Sequence, residues 1–423
     1  MALSRRLRCL PYPLLGCALA ACSSPSPSGG ATELRSEQVR VTAPVLQDGD
    51  PATLTADDGR FAWDLYQAVR ATPGNLAFSP ASLSIGLAMA YGGARGSTAA
   101  QMATTLHFSL PVARLHRAFD ALDLALEATP TDGHAFQLTL ANALWVGSGA
   151  AIVPDYLDLL AEDYGAGVHV VDFATAPEAA RAAINQWVSG RTDGKIPELM
   201  PAGAIDPTTA LALTNAVYFH ADWLNAFGVV NASGSFVAPT GPVATAMMSG
   251  AEPAGGWTGA GYRAASLPYI GGASMVLIVP DAGTFDAFEA GLGADALETI
   301  LATPPTTMVS VTMPRFELQH GLDLAATLQA MGMTDAFSPN AADFSGIDGG
   351  RDLFMKKVEH QAMVAVDETG TEAAAATGVT FSRKSAALPA DPLVVDHPFL
   401  FAIRDDATGT ILFLGRVVDP TLR

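Results

Sequence analysis

Val366-Asp-Glu-Thr-Gly-Thr-Glu-Ala-Ala-Ala-Ala-Thr-Gly378 is the stretch whose reading decides the fold, and it leads into Val379-Thr-Phe-Ser-Arg-Lys-Ser385. Every second residue from 371 to 377 is small (Thr371, Ala373, Ala375, Thr377), and no Pro occurs between Val366 and Leu388. Side chains alternate faces along a strand, so such a segment can slide edge-first between two strands of a finished sheet. Bulky inward side chains would clash, and a Pro would delete a ladder hydrogen bond. Ala is also the best helix former, so the four alanines taken alone read sooner as helix. Context on both sides decides for a loop that is able to become a strand.

The composition is that of a folded protein, with 49% hydrophobic, 15% charged and 8% aromatic residues. The basic start (Arg5, Arg6, Arg8) and the apolar stretch from Leu10 to Ala21 form a secretory signal, too short for a spanning helix. It ends in Leu19-Ala-Ala-Cys22, which resembles the bacterial lipobox, so Cys22 is the expected lipidation site and residues 1–22 the signal. Residues 23–56, opening Ser-Ser-Pro-Ser-Pro-Ser-Gly-Gly, read as a flexible tether to a domain spanning 57–423. Ser23 after the cysteine suggests sorting to the outer membrane or extracellular face of the envelope.

All three cysteines (Cys9, Cys17, Cys22) lie at or before the cleavage point, which excludes disulfides, cysteine metal sites and thiol catalysis in the mature chain. The core alone must then supply the stability. The formal charge is −19, and loss of Arg5, Arg6 and Arg8 takes it to about −22. No basic stripe appears, so nucleic acid is not an expected partner. Acidic surface steers basic partners but serves equally to keep an exported protein soluble.

Apolar residues recur at helical spacing over 61–69, and Pro80 opens a helix over 83–91. Further helices are expected over 178–188 and 322–331, the second closed by Gly332. Buried strands are expected over 138–146, 210–219, 274–280, 309–318, 358–366 and 410–418. Helices early and strands late, with no fixed repeat, point to one α+β domain. No Gly-x-Ser-x-Gly elbow, His-Glu-x-x-His, phosphate loop or dinucleotide fingerprint occurs, and the eight His are scattered. His116 and His134 sit in polar contexts, while Asp57-Asp58 and Asp405-Asp406 read as solvated turns. An enzyme is not expected, nor any cofactor or metal.

Taken in order, many short segments resemble the serpin family over essentially all of 57–423. They include Asn75-Leu-Ala-Phe-Ser-Pro80, Ala90-Tyr-Gly-Gly-Ala-Arg-Gly-Ser-Thr98, Ile184-Asn-Gln-Trp187 and Thr214-Asn-Ala-Val-Tyr-Phe219. Later come Leu267-Pro-Tyr269, Pro314-Arg-Phe316, Asp343-Phe-Ser-Gly346, Asp396-His-Pro-Phe399 and Phe413-Leu-Gly-Arg416. Each is weak alone; in one order at compatible spacing they are specific.

The resemblance implies the serpin fold: three β-sheets, eight or nine helices and an exposed reactive loop, here about 368–392. It implies a monomeric suicide inhibitor whose loop, once cleaved by a serine protease, inserts into sheet A as a central strand and traps the acyl-enzyme. Glu368, Gly370, Thr371, Glu372, Ala373, Ala374, Ala375 and Ala376 match the inhibitory hinge. The family's spacing from Thr371 places the reactive bond at Lys384–Ser385, with Arg383 the alternative if the frame is one residue shorter. Either basic residue suits a trypsin-like pocket with a carboxylate at its base, and a subtilisin-like or papain-like target accepting basic residues stays open. Ser79, Ser82, Asn215 and His360 match the cluster governing sheet opening. Trp223 matches the buried Trp of the upper gap, and Arg315 with Glu368 an ion pair there. Gly378 departs from the pattern, removing a side chain that would normally pack. The segment around 114–128 lacks the basic face of heparin-activated members, so glycosaminoglycan control is not expected. The competing reading is a non-inhibitory binding or structural lipoprotein of the same fold, its loop merely cleaved as substrate.

Overall fold

The computed structural model describes residues 30–127, 136–250, 253–371 and 392–422. The first part of the chain supplies β1 (Thr32–Leu34), α1 (Asp50–Val69), β2 (Leu76–Phe78), α2 (Pro80–Gly93), α3 (Gly96–Thr105) and α4 (Val112–Glu127). Then come β3 (Phe136–Gly147), α5 (Pro154–Tyr164), β4 (Val168–Val171), α6 (Pro177–Arg191) and β5 (Leu211–Asp222). Next are β6 (Phe227–Ala238), β7 (Gly241–Gly250), β8 (Ala254–Gly259), β9 (Tyr262–Pro268), β10 (Ala273–Pro280), α7 (Phe285–Gly291) and α8 (Ala294–Ala302). They are followed by β11 (Thr307–Val309), β12 (Val311–Pro314), β13 (Phe316–Asp323), α9 (Ala325–Met331), α10 (Ser345–Asp348) and β14 (Met355–Val366). Last are β15 (Gly370–Thr371), β16 (Leu393–Val394), β17 (Phe399–Asp405) and β18 (Ile411–Val417).

The strands form three sheets. Sheet A has the order β1-β4-β3-β5-β15-β14-β13, sheet B the order β11-β8-β9-β10-β17-β18-β2, and sheet C the order β16-β12-β7-β6. Among the described residues there are ten α-helices rather than eight or nine, α10 being a single turn. The strand expected over 309–318 is two strands in two sheets, because the chain leaves sheet C at Pro314, which has no N–H to continue the ladder. The helix expected over 322–331 begins only at Ala325, its first residues closing β13.

Helix α2 shows why the layers hold. Its sequence is apolar on every face, so a surface position would leave half of it in water. It lies instead beneath β3 and β5 of sheet A and against β18 of sheet B, with Leu83 and Leu87 fully buried. Each such leucine contributes roughly 2 kcal/mol by leaving water. Ser79 caps the helix, its hydroxyl oxygen accepting from the Ser82 N–H, and Pro80 occupies the first turn.

The N-terminal region differs from expectation. The tether expected through residue 56 is structured from residue 30 onward: β1 adds to the edge of β4, and α1 starts at Asp50. Between them Arg40 reaches three carboxylates of α4, Asp120 at 2.9 Å, Asp123 at 2.5 Å and Glu127 at 3.4 Å. The polar composition suggested a loose linker, but its charges are matched to an acidic stripe spaced along one face of α4. Asp57 and Asp58 are likewise not in a solvated turn but buried inside α1. The Ser84 hydroxyl donates to Asp58 Oδ1, and burial, with Asp57 adding, pushes the Asp58 carboxyl up to about 7. His116 is also buried, its Nδ1 2.6 Å from the Tyr164 hydroxyl.

Candidate functional site

The centre of sheet A carries a seam. Over most of its length β14 lies directly beside β5 and parallel to it, from Met355↔Leu211 to Met363↔Tyr218. At the upper end β15 wedges between them, Thr371 pairing with Ala221 on one side and Val366 on the other, both antiparallel. A strand continuing downward from Thr371 would replace one parallel ladder by two antiparallel ones, the more stable arrangement per residue. Gly370 is required at the mouth. A Cβ there would stand 2.0 Å from the Ala221 carbonyl oxygen, closer than any side chain allows. Thr371 is fully buried, and its hydroxyl is 2.7 Å from that of Tyr269, so its side chain faces the core.

The mouth is held by backbone. Trp223 Nε1 donates to the Asp367 carbonyl at 2.8 Å, while the backbone N–H groups of Trp223 and Phe227 donate to the carbonyls of Thr369 and Glu368. The Trp223 ring stacks on Tyr269 at 4.2 Å between centroids. Asp367 turns the chain, Oδ1 accepting from the Thr369 N–H at 2.8 Å and hydroxyl at 2.7 Å. Arg315 Nε reaches Glu368 Oε1 at 2.8 Å, but the arginine is about half exposed and this pair contributes little.

Halfway down, the seam is closed by side chains. The Ser79 backbone N–H donates to His360 Nε2 at 3.1 Å, which leaves the proton on Nδ1, directed at Asn215 Oδ1. Asn215 Nδ2 in turn donates to Ser82 Oγ at 2.8 Å and to Asn142 Oδ1. The structure therefore brings Ser79, Ser82, Asn215 and His360 together, on α2, β5 and β14, and all four are buried. Burial, with His320 adding, depresses the His360 imidazole to about 3, so it is neutral throughout the ordinary pH range. Parting β5 from β14 means breaking the His360–Asn215 bond. A buried network of this kind is stiff while complete and costly when half-satisfied.

Sequence reasoning missed Asn142 on β3, the fifth member. Its signal was available: an amide in the middle of a largely apolar strand needs a partner. It also missed Tyr269, and Lys356 at the lower end, whose Nζ crosses the seam to Thr208 Oγ1 at 3.1 Å. The remaining hinge residues Glu372, Ala373, Ala374, Ala375 and Ala376, the reactive-bond residues Arg383, Lys384 and Ser385, and Cys22 lie outside the described residues. The loop's far stem resumes at Pro392, whose carbonyl accepts from Arg263 at 3.0 Å, and β16 then runs parallel to β12. Along α4 the cations are already paired: Arg114 with Asp50, and Arg117 with Glu162 at 3.2 Å and Asp163 at 3.1 Å. Among the described residues no group of three or more His, Cys, Asp or Glu is placed to hold a metal ion. No described helix is long and apolar enough to cross a membrane.

A family model described as Serpin (serine protease inhibitor) matches residues 56–420. A serpin-like protein of Thermococcus kodakarensis is 37% identical over 380 residues, covering 89% of this chain and 88% of its own. The human leukocyte elastase inhibitor is 37% identical over 387 residues, covering 87% and 99%. Among solved structures, the native thermophilic serpin tengpin superposes with a TM-score of 0.80 at 25% identity, covering 92% of this chain and all of that one. Human thyroxine-binding globulin complexed with thyroxine superposes at 0.78 and 29%, covering 88% and 99%.

Proposed function

The chain belongs to the serpin family, and on that premise we propose that it is a lipid-anchored suicide inhibitor of trypsin-like serine endopeptidases. The observation that carries the reading is β15: Gly370 pairs with β5, and Thr371 already pairs with both walls of the seam. Similarity to proteins named as leukocyte elastase inhibitors supports protease inhibition in general, and Lys384, with Arg383 the alternative, supports a trypsin-like target.

In this reading the protease seats Lys384 in its acidic pocket. Its serine Oγ attacks the Lys384 carbonyl, the Lys384–Ser385 bond breaks, and Ser385 leaves with the proton as a new amino terminus. An ester to Lys384 remains. The freed strand then follows β15 into the seam. Continuing the Thr371↔Ala221 register brings Thr377 level with Asn215 and Phe381 level with Leu211. Of the core-facing side chains on the way, Ala373, Ala375 and Thr377 are small, and the larger Val379 and Phe381 follow only at the lower end. From Thr371 to Lys384 the strand spans on the order of 45 Å. About a dozen new ladder bonds at ~0.5–1.5 kcal/mol each supply on the order of 10 kcal/mol. Distorting the enzyme so that even one oxyanion donor is lost slows ester hydrolysis about 10²–10³-fold.

The test is incubation of the soluble form with trypsin followed by a denaturing gel. A covalent band of summed mass is expected. Clipping after Lys384 with no such band would replace this reading by the non-inhibitory one. Lipidation of Cys22, and with it a place in the cell envelope, is read from the lipobox; mass spectrometry of the N-terminal peptide checks it.

A further inference from the structure

The register of sheet A fixes where the anchored end of the chain leaves the fold. At the upper end of the sheet Thr371 and Phe136 both pair with Ala221. At the lower end Val146 pairs with Leu211, Val170 with Val146, and Thr32 with Val170. Thr32 therefore lies level with Leu211, ten residues of strand below the point where the reactive loop departs, or about 33 Å. The exit is clamped there. Arg35 Nη1 donates to the Gly165 carbonyl at 3.1 Å, the Ser36 hydroxyl reaches Asp158, and the Val41 N–H donates to the Glu162 carbonyl at 2.9 Å. Arg40 then locks onto α4. These contacts fix the level at which the chain leaves the sheet, so the tether to the anchor starts from the lower pole.

We propose that the membrane-bound protein stands with its reactive loop at the bilayer-distal pole, and that loop insertion carries a trapped protease down to the bilayer-proximal pole. This rests on the lipid anchor at Cys22. Ten residues from Cys22 to Thr32 reach at most about 35 Å. A protease of roughly 220 residues has a radius of gyration near 17 Å and so a diameter of about 45 Å. It does not fit upright between pole and bilayer, and the complex must tip until the protease lies against the membrane surface.

The mature chain offers no other free thiol, so single labels are placed cleanly. Ser148→Cys, exposed just beyond β3, marks the lower pole, and Leu224→Cys, exposed just beyond β5, marks the upper. Each full-length lipoprotein is bound to phosphatidylcholine vesicles carrying an acceptor lipid, and energy transfer is read. Transfer from position 148 is expected to be several-fold stronger than from 224. A donor on trypsin should show strong transfer once the covalent complex has formed. Equal or reversed transfer from 148 and 224 overturns the orientation, and a complexed trypsin held far from the acceptor overturns the delivery. If the protein fails to float with vesicles, the anchor reading fails and this inference falls with it, while trapping in solution is untouched. If trypsin only clips the loop, the inhibitor reading fails, delivery falls with it, and the orientation of the two labels still decides the rest.

Discussion

Acid should unlock the seam through one residue. His360 is neutral in the closed sheet, with its imidazole depressed to about 3 against an ordinary 6.5. A histidine with a lowered folded value costs nothing above its unfolded value, and the folded state loses stability as pH falls below 6.5 toward 3. At about pH 5 the loss is roughly 1.5 pH units at 1.36 kcal/mol each, or about 2 kcal/mol. For some 370 folded residues the unfolding entropy is about 0.8 kcal/mol per kelvin, so this His alone lowers Tm by about 2–3 °C. If the imidazole regains its ordinary value when β5 and β14 part, the open state gains about thirtyfold in population at that pH. Asp58 and Glu359, both raised to about 7 chiefly by burial, act oppositely: their stabilisation is lost as pH rises through 7 and regained on acidification. The raw Tm profile of the wild type is therefore not diagnostic. The difference between wild type and His360→Gln is, because the groups that do not couple to His360 cancel and His320, which does, changes with it. Scanning calorimetry at about pH 7.5 and pH 5 should show the wild type losing 2–3 °C relative to the variant, and spontaneous loop insertion should quicken only in the wild type. Parallel profiles would refute the argument that His360 is the titrating lock.

Thr371→Arg places a guanidinium where the native side chain is fully buried against Tyr269, so trypsin should still cut the loop while the covalent band on a denaturing gel disappears. Gly370→Ala drives a Cβ into the Ala221 carbonyl, expelling β15; the emission of Trp223, isolated by subtracting a Trp223→Phe control, should shift to the red, and an unchanged spectrum would mean the mouth is not so tight. Arg40→Ala leaves the fully buried Asp120 carboxylate without its cation, which costs about 3 kcal/mol and lowers Tm by roughly 4 °C in calorimetry.

The hinge expectation rests on a steric and local requirement, small residues at alternate positions and no Pro, and only its first members, Gly370 and Thr371, fall among the described residues. The opening cluster was reachable only through family resemblance, since nothing in the spacing of Ser79, Asn215 and His360 brings them together; sheet register and α2 do that. Asn142 could have been found by asking what an amide in the middle of an apolar strand bonds to. The N-terminal strap was misread for a physical reason. Proline- and serine-rich composition argues for a linker locally, whereas β1 and Arg40 are ordered by partners far along the chain, the edge of β4 and the acidic face of α4. Asp57 and Asp58 failed similarly, since a pair of acids reads as solvated until Ser84 and Ser109 appear beside them. Pro314 marked a boundary that hydrophobicity alone carried straight through.

The two stems of the reactive loop belong to different sheets, Thr371 to A and Leu393 to C. Everything after the scissile residue includes β16, β17 and β18, and the last two are nearly solvent-free strands in the middle of sheet B. A cut molecule is thus two polypeptides woven into one body. Gel filtration without denaturant should return a single particle of unaltered mass, and only urea or detergent should release the short carboxy-terminal piece.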